Sequence, residues 1–211
     1  MRNEKLTRTW FAVTAVVALA GLVLQVVVTA GDTGGRFTSV AGRVANLFCF
    51  FTIDSNLLVT ATSAVVALGV ARGALFRVLW LDALVGIIVT GIVYQVALAG
   101  LYELHGLALF ADTMLHKVTP ILFVLGWLIA GPRGSLTWRT VWWSLAYPLA
   151  WLAFTLPRGA ITGFYPYPFV DAGALGYGHV ALNCVFIGLF FTALAAGALL
   201  YDRRFARLEP A

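Results

Sequence analysis

The sequence predicts an all-α polytopic membrane protein, a six-transmembrane-helix bundle with both termini cytoplasmic. Three observations predict it. Of 211 residues, 61% are hydrophobic and only 11% charged, at a mean hydropathy of +0.92, whereas a soluble domain carries about 25% charged residues. Six apolar segments are each long enough to cross about 30 Å of hydrocarbon as a helix. The basic residues divide unevenly between the two sides that those crossings define.

The segments follow in order. A charged start, Met1 to Arg8, precedes the apolar run Trp10–Ala30. At about 20 residues that run is too long for the core of a cleaved signal peptide, so it is a retained first span. Gly31–Gly35 breaks the chain after it. The second span is Val44–Val70, closed by Arg72-Gly73. The third is Leu75–Leu98. The fourth, Thr113–Gly131, stops at Gly131-Pro132, and the fifth, Trp138–Leu156, at Leu156-Pro157. The sixth is Gly178–Tyr201. Residues 1–211 form a single transmembrane domain without internal repeats, and no connection is long enough for a soluble domain.

Arg2, Lys5, Arg8, Arg72, Arg77, Arg133, Arg139, Arg203, Arg204 and Arg207 fall on one side. Arg36, Arg43, Lys117 and Arg158 fall on the other, a division of 10 against 4 that makes the first side cytoplasmic. The net charge of +5 is thus a topology signal spread over loops and tails, not a stripe for nucleic acid. Cys49 and Cys184 both fall in spans, as small buried residues rather than a disulfide framework. Two outer connections carry structure of their own. Ala99–Asp112, with Tyr102, Glu103, His105 and Phe110, suits a short interfacial helix. Pro157–Tyr177 alternates Pro with aromatic residues and suits a stiff, extended segment that acts as a lid or an anchor.

Polar side chains in hydrocarbon are costly and must face protein, water or a ligand. Thr52, Asp54, Ser55 and Asn56 interrupt the second span, with Thr52 about 10 Å below the outer face at 1.5 Å per residue. Tyr94 and Gln95 in the third span, His116 and Thr119 in the fourth, and His179 and Asn183 in the sixth reach the same outer half. Thr52, Ser55 and Asn56 share a helix face; Asp54 points elsewhere, toward Arg43, His179 or a bound cation. Pro120 leaves the His116 carbonyl without its helical donor. Asp82 pairs with Arg77 or a lipid headgroup, and Glu103 and Asp112 face solvent.

The run Phe50-Phe51-Thr52-Ile53-Asp54-Ser55-Asn56-Leu57-Leu58-Val59 resembles the second-span signature of a bacterial family of small integral membrane proteins often labelled Pr6Pr. Leu115-His116-Lys117-Val118-Thr119-Pro120 and Tyr165-Pro166-Tyr167-Pro168-Phe169-Val170-Asp171 resemble the same family. That group is similar in turn to the animal androgen-induced and androgen-dependent proteins, multi-pass threonine hydrolases that cleave fatty-acid esters of hydroxy fatty acids. The resemblance implies Thr52 as nucleophile and His116 as its base.

The chemistry is coherent. A threonine hydroxyl attacks only when a base takes its proton, and a buried neutral imidazole is such a base. An ester hydrolase also needs donors for the developing oxyanion, worth about 3–4 kcal/mol each; Asn56, Gln95, Tyr94 and Asn183 are available. Asp54 or Asp171 would orient the imidazole, and His179 would be a further site residue. The substrate is a lipid-like ester entering from the outer leaflet, with no cofactor and no metal. A small proton- or cation-coupled transporter using Asp54, His116 and His179 is the alternative. A haem or metal protein built on His116 and His179 ranks last, because no Cys or His cluster has metal-ligand spacing. The competing reading of Thr52 is a bond to its own helix's Phe48 carbonyl. The sequence sets no oligomeric state.

Overall fold

The computed structural model describes residues 4–70, 73–101 and 103–206. Arg2, Arg72 and Arg207 of the charge count, and Tyr102 of the outer connection, lie outside the described residues. Among the described residues every regular element is helical. The helices are α1 (Glu4–Gly31), α2 (Val40–Leu47), α3 (Phe51–Leu68), α4 (Ala74–Val93), α5 (Gly106–Thr113), α6 (Thr119–Ala130), α7 (Trp138–Ser144), α8 (Ala146–Thr162) and α9 (Ala172–Ala206). A π turn at Tyr94–Leu98 prolongs α4, and another at Met114–Val118 joins α5 to α6. Five continuous helical stretches are long and apolar enough to cross a membrane: Glu4–Gly31, Phe51–Leu68, Ala74–Leu98, Gly106–Ala130 and Ala172–Ala206.

Burial separates the centre of the bundle from its rim. On α4, Trp80 through Ile87 are all buried, as a helix apolar on every face requires. Trp80 packs edge-on against Phe11 at 5.3 Å and Phe123 at 5.0 Å between ring centroids, joining α4 to α1 and α6. The outer helices instead turn large apolar side chains away from the protein, among them Val16 (67% exposed) and Phe186 (63%). A continuous apolar exterior of this kind suits hydrocarbon.

Four expected spans differ in detail. The second divides into α2 and α3 at Phe48–Phe50, where the Phe48 N–H turns back onto the Ala45 and Asn46 carbonyls. The fourth begins earlier, at Gly106, and runs through the π turn to Ala130. The fifth divides at Leu145: Pro148 offers no N–H to the Ser144 carbonyl, and the Ser144 hydroxyl bonds Val141 O at 2.8 Å. After that break α8 runs through Pro157 and ends at Gly163, in the left-handed region at φ 66°. The sixth begins earlier, at Ala172, and kinks at Gly176, where φ is 75°.

Polar clamps fix the ends. Arg43 donates to Thr29 O, Ala30 O and Thr38 O, capping the C-terminus of α1. Asp202 on α9 is fully buried and accepts from the backbone N–H groups of Gly134 (2.9 Å) and Leu136 (3.0 Å) in the α6–α7 connection. Asp202→Ala strands both donors, and should lower stability by about 2–3 kcal/mol, read as a fall in the melting temperature of the detergent-solubilised protein.

Candidate active site

The site forms at the end of the bundle where α3 begins and α4 ends. The break at Phe48–Phe50 makes Thr52 the second residue of α3, in its first turn rather than two turns deep as a continuous span would put it. Phe48 lies outside α3, so the Thr52 hydroxyl has no helical carbonyl behind it. It meets His116 Nε2 at 3.2 Å instead. His116 sits in the π turn between α5 and α6, a widened turn of the kind that often marks functional positions.

Asp112, one turn before His116, completes the set. Its Oδ1 lies 3.0 Å from His116 Nδ1, whose proton also faces the Asp112 backbone carbonyl at 3.1 Å. A carboxylate only accepts, so the proton of the neutral imidazole resides on Nδ1 and Nε2 is left as an acceptor. The Thr52 O–H therefore donates to Nε2. Tyr94, from the other π turn, donates to Asp112 Oδ2 at 2.6 Å and stacks on the His116 ring at 4.0 Å and 17°. Tyr94 is thus an orienting residue rather than an oxyanion donor.

The opposite side of Thr52 is closed by Tyr167. Its hydroxyl lies 3.4 Å from Thr52 Oγ1 and accepts the Thr52 backbone N–H at 3.2 Å. Pro168 holds Tyr167 extended (φ −138°, ψ 143°), and its ring lies against Phe169, Phe50 and Trp151. Burial pushes the phenol up to about 12, against the hydrogen bonds from Thr52, so it stays a neutral donor in any ordinary buffer. The loop carrying it is seated on α8, where the Tyr165 ring occupies the space a Cβ at Gly159 would need.

Thr52 (7% exposed) stands between two cavities. One, about 320 Å³, is walled by Tyr94, Leu101, Asp112, His116 and Pro166 among others; the second, about 330 Å³, is apolar and walled by Val89, Leu149, Leu152, Val185 and Gly188 among others. Thr52, Leu98 and Tyr167 belong to both walls.

The remaining expected residues divide as follows. Asn56 supports the site from behind: its Nδ2 donates to Thr52 O (2.8 Å) and to Leu115 O (3.3 Å), tying α3 to the π turn that carries His116. With that amide spent on backbone it is not an oxyanion donor. Asn183 donates to Phe169 O at 2.9 Å and secures the Tyr167 loop, again not an oxyanion. Gln95 is exposed and lines neither cavity, because the π turn rotates it outward. His179 is exposed on α9, with Nδ1 on Leu175 O at 3.1 Å, outside both walls.

Neither expected acid orients His116. Asp54 is half-buried, makes no ion pair with Arg43 or His179, and faces away from the imidazole because it lies two residues beyond Thr52 on α3. Asp171 accepts from Gly173 N and Ala174 N and caps the start of α9. Asp112, expected in solvent, is 8% exposed and fills the role. Its spacing of four before His116 was the available signal; assigning it to an outer connection hid the helix that carries both. Tyr167 was singled out only as part of a stiff segment. Among the described residues no three His, Cys, Asp or Glu side chains converge as metal ligands.

Asp112→Asn preserves the shape of the site but removes the acceptor that holds the proton on Nδ1. Labelling of Thr52 by a fluorophosphonate probe, followed by mass spectrometry, should slow by about 10²-fold or more. In comparisons with protein-family models, with curated proteins and with solved structures, nothing matches this chain.

Proposed function

We propose that this protein is a membrane-embedded hydrolase of lipid esters, with Thr52 as nucleophile, His116 as general base and acid, and Asp112 as the residue that orients the imidazole. The observation that carries the reading is the unbroken hydrogen-bonded chain from the Thr52 hydroxyl through His116 to Asp112, placed where two cavities meet. Nucleophile, base and orienting acid in that order are the recurring apparatus of acyl transfer.

In the first half-reaction Thr52 Oγ1 attacks the ester carbonyl carbon while its proton passes to His116 Nε2. The carbonyl oxygen becomes an oxyanion. The Tyr167 O–H, 3.4 Å from Thr52 Oγ1, is the donor nearest to it, reinforced by the positive N-terminus of α3. The tetrahedral adduct collapses, the C–O bond to the alcohol breaks, and His116 returns its proton to the leaving oxygen. The acyl group is now esterified to Thr52. Water then attacks the acyl-threonine, giving its proton to His116; the fatty acid departs and Thr52 regains its hydrogen.

On this reading each of the two cavities would take one half of the substrate. The leaving oxygen must lie beside His116, which puts the alcohol portion in the chamber walled by Asp112 and Tyr94. The acyl chain then occupies the apolar chamber toward Gly188. Esters of fatty acids with hydroxy fatty acids, the class suggested by the sequence resemblance, have this two-branched form. The arrangement also fits six crossings, with the α7–α8 pair supplying the fifth, and both termini in the cytoplasm, as the Lys and Arg asymmetry indicates. Substrate and water would then enter from the outer side.

Thr52→Ala and His116→Ala should each remove turnover of a long-chain p-nitrophenyl or fluorogenic ester by about 10⁴-fold or more, and Thr52→Ser should retain it. Normal turnover by Thr52→Ala defeats the proposal. A Cβ at Gly188 meets no protein atom within 4 Å, so Gly188→Leu is accommodated and shortens the apolar chamber. The ratio of kcat/KM for short over long acyl chains should then rise by about tenfold or more, read on a series of esters from C4 to C18.

A further inference from the structure

The opposite end of the bundle holds a third chamber, one that the Thr52 chemistry does not use. It measures about 720 Å³ and lies between the first half of α4, the 135–137 connection, α7 and the start of α8. Its wall includes Asp82, Arg77, Arg139, Trp143 and Tyr147.

Asp82 is the anomaly. It is 3% exposed, and its Oδ1 is sealed from solvent without a hydrogen-bond partner. The expected pairing with Arg77 does not occur, although both side chains line the same space. Of the uncharged polar groups, Thr137 and Thr140 bond one another at 3.0 Å, and the Tyr147 hydroxyl bonds Ser55 at 3.0 Å, while Ser135 also lines the wall. Three charged groups remain, an acid at depth and two guanidinium groups nearer the mouth. Arg77 lies five residues before Asp82 on α4, about 7–8 Å along the axis at 1.5 Å per residue. Arg139 is exposed at the second position of α7.

A buried carboxylate in an apolar bundle stays ionised only where a cation or hydrogen-bond donors meet it. The chamber is the open route by which they arrive. A ligand that satisfies all three groups carries N–H donors at one end and an anion a few ångströms away at the other. A quaternary ammonium has no N–H to offer Asp82. Two guanidinium groups match a phosphate, which each can bind in bidentate fashion. The rim is apolar and outward-facing, with Leu75 and Trp143 largely exposed, as acyl chains attached to such a phosphate would need.

We infer that this chamber is a binding site for a phosphoethanolamine group, its primary ammonium on Asp82 and its phosphate between Arg77 and Arg139. The group reaches the site as the headgroup of an ethanolamine phospholipid or as a free metabolite. The site is independent of Thr52 and stands whether or not the protein is a hydrolase.

The test is native mass spectrometry of the delipidated full-length protein. It is titrated with phosphatidylethanolamine, phosphatidylcholine and phosphatidylglycerol of identical acyl chains, and separately with free phosphoethanolamine. The wild-type protein should retain the ethanolamine lipid about tenfold better than the other two. Asp82→Asn, near-isosteric and relieved of a buried charge, should bring that ratio close to one. Arg77→Gln with Arg139→Gln should weaken all three lipids. If free phosphoethanolamine binds with the same dependence on Asp82, while the lipids show no preference, the soluble source is established and the site stands. No preference among the lipids together with no binding of free phosphoethanolamine overturns the inference. So does a preference that survives Asp82→Asn. Should Asp82→Asn fail to fold, the Arg77 and Arg139 double variant decides: undiminished phospholipid binding overturns the inference, and its loss supports it.

Discussion

The carboxylate of Asp112 sets the direction of every hydrogen bond around Thr52. Because it accepts and never donates when ionised, it takes the Nδ1 proton of His116 and the hydroxyl proton of Tyr94. His116 is then obliged to accept at Nε2, Thr52 to donate there, and Tyr167 to face the lone pairs of Thr52 from the other side. Four polar side chains from four stretches of chain are ordered by one acceptor. In surroundings this apolar the order is stiff, since a reversed bond would leave a donor facing a donor with little water to separate them. Asn56 extends the same constraint to the backbone by bonding the carbonyls of Thr52 and Leu115 together.

Much of the architecture was legible in the sequence because hydropathy reports directly on crossing helices. What it blurred were the places where a helix stops without changing composition. Asn46 to Phe50 is as apolar as its flanks, so the division between α2 and α3 left no hydropathy signal. Its only cue was local backbone bonding, and it moved Thr52 from mid-span to a helix start. Leu145 escaped for a similar reason: the cause, Pro148, lies three residues downstream of the break. At the site, Thr52 and His116 were legible as polar residues at comparable depth, and the structure brings them into contact. Their orienting acid was not, because an acid near a span boundary reads as solvated until the helix through it is known. Asn56, Tyr94 and Asn183 have their donors committed to Thr52 O, Asp112 and Phe169 O, which depth along a span does not reveal. His179 and Gln95 show a related error, in which equal depth on a helix says nothing about which face a residue occupies.

The basic residues at the Thr52 end of the bundle have a structural reason of their own. Arg43 binds the last carbonyls of α1, Arg36 donates to Thr162 O at 2.6 Å at the end of α8, and Arg158 donates to Asn46 Oδ1 at 2.7 Å. Carbonyls at helix C-termini carry partial negative charge and lack intrahelical donors. Guanidinium groups meet both needs at once. Those arginines hold the α1–α2 connection and the Tyr167 loop around the mouth of the site, a role that a simple count of charges assigns only to topology.

The paired π turns at Tyr94–Leu98 and Met114–Val118 have a consequence for how such a bundle tolerates change in length. Each carries one residue more than an α-helical turn over the same rise. Losing a single residue from the second would restore ordinary helical winding and leave α5 and α6 in their present directions, so that only the residues within the turn would move. The apolar exterior would keep its packing, but the His116 imidazole, which sits inside the turn, would lose its place between Asp112 and Thr52. The scaffold could therefore lose its chemistry by a one-codon deletion while its crossing helices, and the chamber around Asp82, remained in place.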